Sequence, residues 1–88
     1  MAPRIVAPTD GARIHIAVAG NESAPVVLRA VTGTDTRHHD WFAGARFIGR
    51  TKRDGTLEWR PEPGETALKV VDDRGRADTI TVSVVARL

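Results

Sequence analysis

Between His38 and Val84 the apolar side chains fall at every second position in short segments, and each segment ends at a turn rich in Gly, Pro or Asp. Thr66-Leu68-Val70 and Ile80-Val82-Val84 are the clearest examples. Successive side chains of a strand point to opposite faces, so a period of two gives each segment one apolar face and one polar face. No window carries apolar residues at a spacing of 3.6, which predicts no helix longer than one turn.

The turns divide the chain cleanly. Ile5-Val6 and Arg13 to Val18 read as one first strand broken by Pro8-Thr9-Asp10-Gly11 and switching sheets at the break. Gly20 to Pro25 is a polar loop, Val26 to Val31 the second strand and Gly33 to Arg37 another loop. His38 to Phe42 is the third strand, with Trp41 and Phe42 on opposite faces. Ala43-Gly44 turns it onto a return strand, Arg46-Phe47-Ile48, ending at Gly49. The polar run Arg50 to Gly55 reads as a second turn, because Asp-Gly is a strong hairpin signal. Leu57 to Trp59, Thr66 to Val71 and Thr79 to Val85 complete the set, with an Asp72-Asp73-Arg74-Gly75 turn before the last.

Seven or eight strands spaced by 8–12 residues are the signature of a sandwich. The chain is therefore predicted to be all-β, an immunoglobulin-like β-sandwich of about seven strands. Its expected core is Val26, Leu28, Trp41, Leu68, Val70, Ile80 and Val82. At 88 residues, 1–88 form a single domain. Such a small domain buries only about 60–65% of the surface its unfolded chain exposes, yet 41% apolar residues suffice for a core. There is no cysteine, hence no disulfide framework and no thiolate chemistry.

A formal charge of +2 from 13 cations and 11 carboxylates of mixed position is not the basic stripe of a nucleic-acid binder, and none is expected as a partner. No apolar run reaches the roughly 18 residues that span a bilayer. Met1-Ala2-Pro3-Arg4 lacks the apolar core of a signal peptide, and Met1 reads as an added start on an excised domain. A soluble monomer is expected.

Chemistry is hard to place on this chain. The two serines, Ser23 and Ser83, begin no S-x-x-K motif, since Val26 and Ala86 stand at the third position after each. His38-His39-Asp40 would offer one ion at most His38 and Asp40, because adjacent strand positions alternate faces and zinc needs three or four ligands. Glu62 with Glu65, and Asp72 with Asp73, sit in turns rather than in a cleft that would separate their acidities. No catalytic residue, metal site or cofactor is predicted, and the isolated domain is not expected to be an enzyme.

Contacts are easier to nominate. Arg46, Arg50, Lys52 and Arg53 put four cations on one hairpin, suited to an anionic polymer or an acidic partner. Trp41 is expected in the core. Trp59, and Phe42 on the other face of the third strand, are candidates for stacking on sugar rings. The candidate contact set is thus Phe42, Arg46, Arg50, Lys52, Arg53 and Trp59.

From Ile5 onward the chain resembles the C-terminal domain of the 1C-type bifunctional penicillin-binding proteins. The matching elements are IVAPTDG (5–11), VLRA (27–30), WFAGARFIG (41–49), Trp59-Arg60-Pro61, Pro63-Gly64, LKVVDDRGR (68–76) and Ile80 to Val84. Their order and spacing cover nearly the whole chain. The resemblance implies a periplasmic accessory domain at the end of an inner-membrane-anchored synthase with glycosyltransferase and transpeptidase domains. It implies an interaction or positioning role, with the catalytic domains of the same synthase or another periplasmic protein as partner. Cell-wall polysaccharide binding, or an adhesion or spacer role, are the alternatives. The resemblance does not lend this chain penicillin binding, because the serine nucleophile and its lysine belong to another domain.

Overall fold

A computed structural model describes residues 2–19 and 22–87, except the side chains of 18, 19, 22 and 23. Nine strands follow in chain order: β1 (Arg4–Ala7), β2 (Arg13–Ala19), β3 (Glu22–Ser23), β4 (Val26–Val31), β5 (His38–Ala43), β6 (Arg46–Lys52), β7 (Leu57–Trp59), β8 (Gly64–Asp72) and β9 (Ala77–Arg87). β1, β4 and β7 make a three-stranded sheet in the order β1-β4-β7, and the others a six-stranded sheet in the order β3-β2-β9-β8-β5-β6. The all-β sandwich is as expected. The count rises above seven because the first strand forms two separate elements and Glu22–Ser23 adds a short one. Of the expected Gly20–Pro25 loop, Gly20 and Asn21 lie outside the described residues, as does Met1.

The sheet switch at Pro8–Gly11 is real. β1 runs antiparallel to β4 in the small sheet, whereas β2 runs parallel to β9 in the large one. The crossing is pinned to β9: the Gly11 N–H donates to the Thr81 carbonyl at 2.8 Å and the Thr81 N–H to Asp10 Oδ1 at 2.9 Å. At the start of the chain the Ile5 N–H donates to Asp78 Oδ2 at 2.8 Å. These bonds satisfy backbone groups that a change of sheet would otherwise leave unpaired.

The inward faces of both sheets supply one core. Leu28, Trp41, Leu68 and Val70 are fully buried, joined by Ile80, Val82, Val84, Ile5, Ile16, Ala30 and Trp59. Every expected core residue is in it except Val26, which is half-buried against its edge. The Trp41 indole spends its polar group inside, donating from Nε1 to Thr51 Oγ1 at 3.0 Å.

β6 corrects the expected end of the return strand. It does not stop at Gly49 but runs to Lys52, so Arg50, Thr51 and Lys52 belong to a strand and the turn covers 53–55. The reason is Thr51, which faces inward to receive the Trp41 indole and so keeps β6 paired with β5. A register shift between Trp41 and Phe42 gives β6 one extra residue, so Trp41 pairs with Gly49 and Phe42 with Phe47. Gly49 has φ +156°, and a Cβ there would lie 2.8 Å from Leu57 Cδ1. Only glycine lets the edge of the large sheet come so close to β7 of the small one.

Candidate functional site

β6 is the last strand of the large sheet and β7 the last of the small sheet, so both leave an edge unpaired on the same side of the sandwich. They touch at Gly49 and Leu57. Beyond that contact, toward the β5–β6 turn, they enclose a groove of about 540 Å³. That is within the roughly 300–1,000 Å³ range of ligand sites. Phe47, Ile48 and Trp59 supply its apolar lining, and Arg46, Glu62 and Glu65 stand among the charged groups around it.

The local folding explains each placement. The two-residue turn at Gly44 and Ala45 reverses the chain with Gly44 at φ +60°, and the Gly44 N–H donates to the Ala67 carbonyl of β8 at 2.8 Å. That bond ties the tip of the hairpin to the large sheet and holds Arg46 at the mouth of the groove. Phe47 is paired with Phe42, their rings edge-to-face at 5.7 Å. Even so Phe47 stays 54% exposed, the most exposed large apolar side chain described. Arg46, Glu62 and Glu65 make no ion pair among the described residues, while Arg60 is engaged within the domain.

The other end of the same strands is arranged differently. Asp72, its side chain wholly buried, accepts from the Arg74 and Arg76 N–H groups at 2.9 Å each and from Arg76 Nε at 2.7 Å. Arg76 also reaches Asp35 at 3.1 Å, and Thr36 Oγ1 donates to Asp72 at 3.4 Å. Burial works to raise the Asp72 pKa, but the N–H groups of Arg76 and Arg74 and the Arg76 guanidinium together hold it below the usual carboxylate range. His39 lies beside this cluster, paired with Thr51 on one side and Asp72 on the other. It is 1% exposed, edge-on to Trp41, and its Nε2 has no hydrogen-bond partner among the described residues. Burial pushes its pKa below the ordinary histidine value, against the opposing pull of Asp72 and Asp73.

The four cations nominated from sequence do not form one patch. Arg46 faces the groove. Arg50 is held by Asp40, Nε to Oδ1 at 2.7 Å, and that hydrogen bond lowers the Asp40 pKa. Arg53 donates to the Thr34 carbonyl at 2.9 Å and approaches Asp54 at 3.8 Å, and with Lys52 it lines a shallow hollow at the far end. The extension of β6 separates them, since a strand spreads its side chains along roughly 3.3 Å per residue where a turn would gather them. Trp59 is 7% exposed, so its ring is packed rather than offered as an open platform. Phe42 is half-buried under Phe47.

Sequence reasoning assigned no site role to Glu62, Glu65 or His39, and Phe47 lies within the Phe42–Ile48 hairpin that it nominated for contact without being singled out there. Parity carried a signal for His39: two residues before a core Trp on the same strand, it shares the inward face. Nothing local marks Glu62, in the β7–β8 connection, or Glu65, which the structure places at the start of β8 rather than in a turn. No group of three or more metal-ligating side chains is present among the described residues, and no helix there is long and apolar enough to cross a membrane.

Comparison with known proteins agrees with this architecture. The chain superimposes on a solved structure of the fibronectin(III)-like modules of Clostridium thermocellum CbhA with a TM-score of 0.72, covering 98% of this chain and 99% of that one at 18% identity. At that identity the likeness concerns the fold alone. No curated protein matches the chain in sequence. Residues 1–84, however, match the model of a family, and they include every element of both sheets except the end of β9. The chain belongs to the Penicillin-Binding Protein C-terminus Family.

Proposed function

We propose that this domain is a non-catalytic interaction and positioning module at the C-terminus of a peptidoglycan synthase of the penicillin-binding protein 1C type, working in the periplasm. The observation that carries the docking role is the open end of the sandwich. There an exposed Phe47 and Arg46, Glu62 and Glu65, which form no ion pair among the described residues, gather around a groove, on a domain of the family named above. Unpaired charge beside exposed aromatic surface is what a polar-rimmed contact needs. Docking between domains of one chain buries about 600–1,500 Å², which the β5–β6 hairpin and the β7–β8 connection together can supply.

The polysaccharide-binding alternative loses its main support, because the Trp59 ring it relied on is packed away. The deciding measurement is an amide-shift titration of the labelled domain with the catalytic domains of its synthase and with muropeptides. Shifts at residues 42–48 on adding protein are expected. Shifts around Trp59 with muropeptide alone would move the assignment to a glycan-binding module. A fluorescent penicillin should leave the isolated domain unlabelled on a denaturing gel, and a covalently labelled band would overturn the non-catalytic reading.

A further inference from the structure

The groove is bounded by two unpaired strand edges, and this says what shape of partner it suits. β6 makes its ladder with β5 and none with β7, so its free edge presents backbone N–H and C=O groups toward the groove. An extended chain can pair with such an edge as an additional strand, the backbone giving affinity and alternate side chains giving selectivity. A ligand without a polypeptide backbone cannot form that ladder. The contact of Gly49 with Leu57 closes one end of the groove, so an incoming strand is limited to the stretch beside Arg46, Phe47 and Ile48.

Charge selects further. Glu58, Glu62 and Glu65 line the groove with Arg46 and an Arg60 already engaged within the domain, which leaves an excess of carboxylate. Inward side chains of an added strand would meet Ile48 and Trp59, and outward ones would meet Phe47. We propose that the groove binds an extended polypeptide segment of a partner protein that alternates apolar and basic residues, added to the free edge of β6. This names the partner chemistry for the docking role and rests on that reading.

The test uses a blocked hexapeptide, acetyl-Lys-Val-Lys-Val-Lys-Val-amide, titrated into the labelled domain. Shifts at Arg46, Phe47 and Ile48 are expected, with slowed amide exchange along β6. Methylating alternate backbone nitrogens of the peptide should weaken binding about tenfold or more if strand pairing carries the affinity. The double variant Glu62→Lys/Glu65→Lys should weaken it about tenfold at low salt and less at high salt. Equal binding of the methylated peptide would overturn strand addition, and tighter binding of the matching Glu-Val peptide would overturn the charge assignment. Absence of shifts at millimolar peptide would overturn the groove as a peptide site. If the catalytic domains then shift residues elsewhere on the surface, the docking role stands without the groove. If they shift nothing, both fail.

Discussion

The two ends of strands β5, β6 and β8 are built from similar residues and do opposite things with them. At one end Asp72, Arg76, Asp35 and Thr36 bond to one another or to backbone, Thr51 accepts from the Trp41 indole, and the Asp72 side chain is wholly buried. At the other end, about 13 Å away along β5 at 3.3 Å per residue, Arg46, Glu62 and Glu65 face solvent around a groove with no ion pair among the described residues. Polar groups inside a network cannot be removed without stranding their partners, whereas solvated charges are free to be spent on a partner. The paired end is therefore read as structure and the unpaired end as contact surface.

The largest effect expected from this contrast is at Asp72. Asp72→Ala leaves two backbone N–H groups and the Arg76 Nε without their acceptor, and should cost about 3 kcal/mol in chemical denaturation. A loss under about 1 kcal/mol, the scale of exposed ion pairs, would erase the distinction between the ends.

Gly49 separates the two regions and comes next. Gly49→Ala places a methyl against Leu57 at a backbone angle that other residues rarely adopt, and should cost about 1–3 kcal/mol. Pairing it with Leu57→Ala should recover part of that loss, as measured by a double-mutant cycle, because the clash is with the leucine side chain.

His39 sharpens the comparison through pH. Its pKa in the folded state is held below the ordinary value by burial. As pH falls through about 6.5 the unfolded chain takes up a proton first, so stability declines from that point toward the lower folded value. Asp72 acts in a separate window: its folded value is lowered, so its contribution is present above about 3.9 and is lost as pH falls through the folded value. Melting temperatures from pH 7.5 to 5 should fall for the natural chain and stay nearly level for His39→Leu. Parallel curves would show that His39 does not set the slope.

Much of this was legible in the sequence, and the limits have physical causes. Period-2 alternation exposes burial directly, so Leu28, Trp41, Leu68, Val70, Ile80 and Val82 were readable. The sheet switch was readable too, because Pro8 and Gly11 interrupt an otherwise continuous apolar pattern. The reach of β6 was not, since Arg50-Thr51-Lys52 is polar and its strand state depends on a bond from Trp41, ten residues away. The groove was least legible. It arises where two edges of different sheets diverge, and strand pairing of that kind is a property of the assembled fold. The basic residues of the hairpin suggested an acidic partner, and only the packing of Glu62 and Glu65 across from Arg46 reverses that sign.

The smallest expected effect is the most discriminating one. Glu62→Lys and Glu65→Lys change groups that are exposed and carry no ion pair among the described residues. Substitutions of this kind usually stay within about 0.5 kcal/mol of the parent. The unfolding midpoint of the double variant should therefore coincide nearly with that of the natural chain, while the same change abolishes most of the attraction for a basic peptide. Stability unmoved with binding lost separates a contact surface from a structural one. A destabilisation approaching that of Asp72→Ala would instead place these carboxylates in the framework and make the two ends of the sandwich alike.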